Sequence, residues 1–215
     1  MKKLFLLLML FPILIFGETK NTYKICSDED VYYSTFSTSK TDSQILYIYN
    51  HETEKQINYY DQNGITQKFT FEDSLNKINY SAVLEGKKII LKGNSGDKNF
   101  DKIIKIDDDP WKQSMSYSLS EFALGNEEKI KFWIIRLDKL KGAKIQAERV
   151  KTEDILIGDK QYNAVNVKIS THDLLSNIWH CNYWFRSSDG LFLKYEGLNG
   201  LPGAGKTIIE LFEKE

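Results

Sequence analysis

The sequence predicts a mainly β protein with one large, curved antiparallel sheet, an open or half barrel, and one covering α-helix near residues 110–124. Short alternating or doubly apolar segments follow one another along the chain, which is typical of antiparallel strands. Turn pairs such as Asn63-Gly64, Glu85-Gly86 and Asp189-Gly190 separate several of them, because glycine can adopt the positive φ of tight hairpins. Helical periodicity occurs in one long stretch only.

Thirteen segments are predicted as strands from their alternation or their β-branched and aromatic content. They are Tyr23–Cys26, Ile45–Tyr49, Gln56–Tyr60, Thr66–Phe71, Lys77–Leu84, Lys87–Lys92, Asp101–Ile106, Lys129–Leu137, Ala143–Ile157, Lys160–Ser170, Ile178–Arg186, Leu191–Tyr195 and Thr207–Phe212. Some of them, including residues 45–49 and 131–137, are apolar on both faces, so part of the sheet must be covered on both sides.

The predicted helix follows the acidic run at residues 107–109. Asp109 can cap it, Pro110 suits its first position, and Gly125 can end it. Apolar side chains recur at three- or four-residue steps, at Trp111, Met115, Leu119 and Phe122. Such an amphipathic helix, inserted in a run of strands, is expected to cover one face of the sheet.

The first 17 residues have the layout of a secretory signal. Lys2 and Lys3 precede an apolar run that ends at Phe16, and Gly17 offers a small residue for cleavage. The run is too short for a stable membrane span. We therefore expect residues 1–17 to be a signal peptide, residues 18–215 to form a single half-barrel domain, and the product to be exported to the periplasm or the extracellular space.

Charge composition argues against nucleic acid as a partner. The chain has 29 basic and 30 acidic residues, with both signs scattered along it. A nucleic-acid-binding protein would favour a basic patch.

The two cysteines, Cys26 and Cys181, leave two interpretations open. In an oxidising compartment they could form a disulfide that closes a long loop. Alternatively, both are buried thiols, and their separation in sequence does not distinguish the two cases.

Residues 200–207, GLPGAGKT, match the phosphate-loop pattern. A phosphate loop needs a buried parallel strand before it and a helix after it. Here the preceding segment alternates, and TIIELFEKE reads as a closing strand. The sequence therefore predicts a glycine-rich loop between the last two strands, and no nucleotide.

No catalytic or metal-binding set is predicted. Adjacent residues of a strand point to opposite faces, so His180 cannot activate Cys181. His172, His51 and the run at residues 107–109 lack the spacing of zinc or calcium ligands. No cofactor is expected either.

The C-terminal part resembles a known type of protein. The segments DILIGDKQYNAVNVKIS, NIWHCNYWFRSSDGLFLKYEG and KTIIELFEKE look like the ending of uncharacterised exported bacterial half-barrel proteins. More distantly, the chain resembles the lipoprotein-localisation carriers (LolA/LolB-like), in which a curved sheet and helices enclose an acyl-chain cavity. The resemblance implies an unclosed barrel in the cell envelope and transfers no site residues.

Three functions are consistent with these observations. The first is binding of a lipid or other apolar ligand in the concavity of the sheet, where we expect the lining residues Trp111, Met115, Phe132, Trp133, Trp184 and Phe185. The second is a non-enzymatic assembly or structural factor that holds an envelope protein partner. The third is a hydrolase, which would need His180 or His172 beside an acid and a hydroxyl.

Overall fold

A single antiparallel sheet contains nearly all regular structure of the protein. The computed structural model describes residues 16–28, 30–171, 180–198 and 205–213. Within these residues fourteen strands follow the order β8-β7-β6-β5-β4-β3-β2-β1-β14-β13-β12-β11-β10-β9. The first strand therefore lies in the middle of the sheet, and the sheet does not close. The predicted open antiparallel architecture is confirmed.

The bounds of the elements are as follows. They are β1 (Phe16–Ser27), β2 (Asp30–Lys40), β3 (Ile45–His51), β4 (Glu54–Tyr60), β5 (Thr66–Asp73), β6 (Ile78–Glu85), β7 (Lys88–Ser95), β8 (Lys98–Lys105), α1 (Met115–Ser118), α2 (Ser120–Leu124), β9 (Lys129–Arg136), β10 (Lys141–Ile157), β11 (Lys160–Thr171), β12 (His180–Arg186), β13 (Phe192–Leu198) and β14 (Lys206–Phe212). The predicted signal peptide falls mostly on residues 1–15, outside the described residues.

Strand β2 was not predicted from the sequence. Serine and threonine make up much of it, so its apolar signal is weak. In the sheet it pairs with β1 and β3 along most of its length. Its buried residues Ser34 and Phe36 lie on one face by the two-residue alternation of a strand, and buried Ser37 lies on the other.

The predicted helix begins later than expected. Helical residues start at Met115, and the residue before them is Ser114, at φ 52°, instead of Asp109. Residues 110–113 are not helical, and Trp111 forms a parallel bridge with Trp133 of β9. Their backbone groups are used in contacts with other strands, so they cannot form helical hydrogen bonds. The predicted end is confirmed, since Gly125 directly follows α2.

Residues 110–113, the bridging segment, connect two distant parts of the sheet. On one side the amide of Lys112 donates to the carbonyl of Trp133 at 2.9 Å. On the other side the amide of Thr66 in β5 donates to the carbonyl of Trp111 at 2.9 Å. The bridging segment thereby holds the β9 edge against β5 and fixes the curvature of the sheet.

Strand β9 lies between two hydrophobic clusters. Phe132 belongs to the larger cluster, which fills the concave face under α1 and α2. Ile135 belongs to a smaller cluster with Trp111 and the inner side chains of β5, β6 and β7. Coverage on both faces, expected for residues 131–137, is thus observed.

Candidate functional site

Two cavities lie on the concave face. The helical segment, residues 115–124 with α1 and α2, separates them. The first cavity has a volume of about 430 Å³ and the second about 510 Å³. Both fall within the range of small-molecule sites, about 300 to 1,000 Å³. Phe36, Tyr47, Ser116 and Phe192 line both cavities and form the wall between them.

The first cavity is lined mainly by apolar and aromatic side chains. Its wall includes Ile25 from β1, Tyr49 from β3 and Ile209 from β14. Strand β9 and helix α1 close it with Ile134 and Met115, respectively. These positions face the concavity because side chains of a strand alternate between its two faces. The first cavity is therefore suited to an apolar chain.

The second cavity is more polar and lies toward the opposite ends of the strands. Thr19, Thr38 and Lys40 of β1 and β2 line it, together with Glu121 of α2. The end of β12 contributes Arg186, and the turn after it contributes Asp189 and Gly190. This cavity is suited to polar groups of a ligand more than to a long apolar chain.

Tyrosine hydroxyls hold the bridging segment and α1 over the sheet. Tyr60 donates to the carbonyl of Gln113 at 2.7 Å, and Tyr47 shares a hydrogen bond of 2.9 Å with Ser116. Burial raises the pKa of both tyrosines above the usual range. Both phenols therefore stay neutral at physiological pH, and that of Tyr47 is a hydrogen-bonding group of the cavity wall.

Lys112 of the bridging segment holds the end of α1. Its side chain is buried, and its ammonium donates to the carbonyls of Gly64 at 3.2 Å and Ser118 at 3.0 Å. Burial lowers the pKa of Lys112. Gly64 and Ser118 line the second cavity, so this ammonium lies directly behind its wall.

Among the six residues expected to line a cavity, Met115 lines the first cavity. Trp111, Phe132 and Phe185 are fully buried in the two hydrophobic clusters and reach neither cavity. Trp133 donates from Nε1 to Asp107 at 2.8 Å, at an exposed site. Trp184 donates to Glu153 at 3.0 Å on the face opposite Phe185.

Much of the first cavity's wall comes instead from the first three strands and from β14. Sequence reasoning did not select these residues, although their strands were predicted in part. The available signal was the alternation in DVYYSTFSTSK and ILYIY, whose inward members line the first cavity: Tyr32, Phe36, Tyr47 and Tyr49.

Both cysteines are free. Cys26 pairs with Ile208, which pairs with Glu196, which pairs with Asn182. Cys26 is thus three strand spacings of about 4.8 Å from β12, beyond the reach of a disulfide. It also shares a face with Asn182, whereas Cys181 points to the other face. The alternative of a Cys26–Cys181 disulfide is therefore wrong for this fold.

The remaining candidates for chemistry lie apart. Lys206 and Thr207 begin strand β14, where a phosphate loop would have a helix, and Lys206 forms an ion pair with Glu196 at 2.6 Å. Residues 200–204 lie outside the described residues, as does His172. His180 is exposed next to buried Cys181. Across the described ranges, no group of three or more potential metal ligands comes together.

The helices of the described ranges are too short or too polar to cross a bilayer.

Comparison with known proteins supports the fold. No protein family and no curated protein matches the chain. A solved structure of a beta-barrel-like protein of domain of unknown function DUF1849 from Brucella abortus is similar, with a TM-score of 0.62 and 11% identity over 91% of this chain and 98% of that chain. This likeness agrees with the predicted half-barrel fold.

Two further structures are more distant. The hypothetical lipoprotein YmcC from Escherichia coli has a TM-score of 0.39 and 12% identity over 91% of this chain and 87% of that chain. A LolA superfamily protein, NE2245 from Nitrosomonas europaea, has a TM-score of 0.27 and 8% identity over 94% of this chain and 86% of that chain.

Proposed function

We propose that the protein is an exported envelope protein that binds a lipid or another amphiphile in the concave face of its sheet. The observation that carries this proposal is the pair of cavities, one mainly apolar and one of mixed polarity, on the two sides of the helical segment. Export is supported by the signal-like residues 1–17.

Burial of apolar surface provides the driving force. An alkyl chain in the first cavity would contact Ile25, Ile134, Ile209 and the inner aromatic rings. Each buried methylene contributes about 0.8 kcal/mol, so a chain of several methylenes offsets the entropy cost of binding. A ligand that extends past Ser116 would also contact the second cavity, whose lining is more polar than that of the first.

Two neighbouring isoleucines of β14 provide a matched test. Ile209 lines the first cavity, whereas Ile208 pairs with Cys26 and points to the opposite face. Ile209→Trp fills the cavity, and we expect it to weaken binding of dodecyl maltoside at least tenfold. Ile208→Trp adds the same group outside the cavity and should leave the affinity unchanged.

Isothermal titration calorimetry measures both affinities, and a negative heat-capacity change marks apolar burial. Equal urea midpoints for the two variants show that both are folded. Absence of binding by the unsubstituted protein, or equal binding by both variants, would overturn the proposal.

A protein partner bound at a strand edge stays a prediction of the sequence. The edges of the described sheet are β8 and β9.

A further inference from the structure

The first cavity carries an uncompensated negative charge. Of the described residues that line it, Glu54 and Arg136 are charged. The guanidinium of Arg136 donates to both carboxylate oxygens of Asp138, at 3.2 and 2.7 Å, so its charge is neutralised. Glu54 accepts a hydrogen bond from the neutral amide of Gln56 at 2.6 Å. Within the described ranges it forms no ion pair.

The side chains opposite Glu54 on its two neighbouring strands are His51 of β3 and Asp73 of β5, and the His51 ring lies against Tyr32 with 4.4 Å between the ring centroids. Asp73 is its partner in the pairing of β4 with β5, so a second carboxylate lies on the neighbouring strand. Asp73 is bonded to the backbone amide and the side-chain amide of Asn76, which are neutral donors. Two carboxylates beside one imidazole leave this end of the cavity with a net negative charge.

Aromatic rings stand beside this carboxylate. Tyr32 and Tyr49, on the neighbouring strands β2 and β3, line the same cavity as Glu54. Burial raises the pKa of Tyr49 to about 12, and the charge of Glu54 adds to the rise. Burial and Glu54 also raise the pKa of Tyr80, whose buried hydroxyl has no hydrogen-bond partner in the described structure. The carboxylate therefore lies within electrostatic reach of several tyrosines.

A half-buried carboxylate among aromatic faces favours a cation over an anion or a neutral group. Ammonium groups are attracted electrostatically to the faces of aromatic rings, and a nearby carboxylate adds direct charge attraction. A hydrated metal ion fits less well, because one carboxylate and two phenols supply too few oxygen ligands for a calcium or magnesium ion.

We propose that the Glu54 end of the first cavity binds the ammonium group of an amphiphile, between Tyr32 and Tyr49, while its apolar chain lies against Ile134 and Ile209. This inference rests on the proposed function and adds a preference for the ligand's head group. The ammonium can belong to a phospholipid head group or to a free alkyl amine.

The test compares ligands with the same chain and different heads. Dodecyltrimethylammonium, dodecyl maltoside and dodecyl sulfate are titrated below their micelle concentrations by calorimetry. We expect the ammonium compound to bind about tenfold more tightly than the maltoside, which is about 1.4 kcal/mol, and the sulfate to bind more weakly than both. Equal affinities for all three, or a preference for the sulfate, would overturn the proposal.

Charge-neutral variants locate the preference. Glu54→Gln keeps the shape and the contact with Gln56, and it should bring ammonium binding down to that of the maltoside. Glu72→Gln removes the same charge from an exposed position on the opposite face of β5 and should keep the tenfold preference. An unchanged preference for the ammonium compound in Glu54→Gln would contradict the assignment of this residue. If that variant does not fold, the comparison of the three ligands with the unsubstituted protein still tests the proposal.

The same data separate this inference from the proposed function. If the maltoside binds and the ammonium group gives no advantage, the cavity binds chains without a preference for cations. If no compound binds, the proposed function itself fails. Lysophosphatidylcholine and lysophosphatidylglycerol identify the source: tighter binding of the choline lipid indicates a phospholipid head group, whereas a preference limited to dodecyltrimethylammonium indicates an alkyl amine.

Discussion

Gln113 fastens the bridging segment to β9 through its buried side chain, while its backbone bonds to Tyr60 and Thr66, so its replacement should destabilise the whole fold. Its Oε1 accepts from the amide of Ile135 at 2.9 Å and from Nε1 of Trp111 at 3.2 Å. Its Nε2 donates to the carbonyl of Ile135 at 3.2 Å. Gln113→Leu keeps a similar volume and leaves two donors and one acceptor buried without partners.

The expected loss follows from these three groups. Each buried polar group left unpaired costs about 1 kcal/mol or more, so Gln113→Leu should lower the free energy of unfolding by at least about 3 kcal/mol. Urea unfolding followed by circular dichroism measures the change in midpoint at constant slope.

An exposed glutamine serves as the control for this substitution. Gln161 donates a single hydrogen bond to Asp154 at 2.9 Å, and Gln161→Leu should change stability by less than about 0.5 kcal/mol. A loss below about 1 kcal/mol for Gln113→Leu would refute the role assigned to the bridging segment.

Three further predictions follow from other contacts. In the folded protein a thiol reagent should label half-buried Cys26 and spare Cys181, because Cys181 is 2% exposed and burial raises its thiol pKa to about 12. Labelling of Cys181 in a natively folded Cys26→Ser variant would contradict this. Gly93→Ala should lower stability by about 1–3 kcal/mol, because a Cβ there would overlap the backbone of β6; an unchanged urea midpoint would count against it. Hydrogen bonds, foremost that from Lys144, hold the pKa of the Asp107 carboxyl well below its usual range. The ionised carboxylate therefore stabilises the fold above about pH 4, and this contribution is lost as the pH falls through the lowered folded-state pKa. Asp107→Asn should therefore lose less stability between pH 4 and pH 2 than the unsubstituted protein, and parallel pH profiles would contradict the assignment.

Local patterns were sufficient to predict most of the sheet. The segment after Lys206 has β-branched residues, and it forms β14. Residues 131–137 are apolar on both faces, and β9 does pack on both sides, with Phe132 in one cluster and Ile135 in the other. Both features depend on residues that are adjacent in the chain, so they can be recognised from the sequence alone.

The start of the helix depended on contacts that the sequence does not display. Trp111 and Met115 have helical spacing, but the carbonyl of Trp111 accepts from Thr66 and its strand partner is Trp133. These hydrogen bonds join residues far apart in the chain, and they outweigh a local preference for helix at Pro110.

The cavity walls were difficult to predict for a related reason. Large aromatics in doubly apolar strands were expected to line the cavity, but Phe132 and Phe185 fill the core because they have neighbours on all sides. Which inward residues remain at a cavity depends on the strand order, with β1 in the middle of the sheet, and on the place where the helical segment crosses it.

Paramagnetic relaxation in methyl-labelled protein would test the cavity most directly. A neutral stearate methyl ester with a spin label on its chain is added, and the line widths of isoleucine, leucine and valine methyls are measured. The account predicts broadening at Ile25, Ile134 and Ile209, which line the first cavity, and sharp signals from exposed Val150 and Leu156. Broadening confined to the exposed methyls, or none at saturating ligand, would contradict the claim that the concave face holds the ligand.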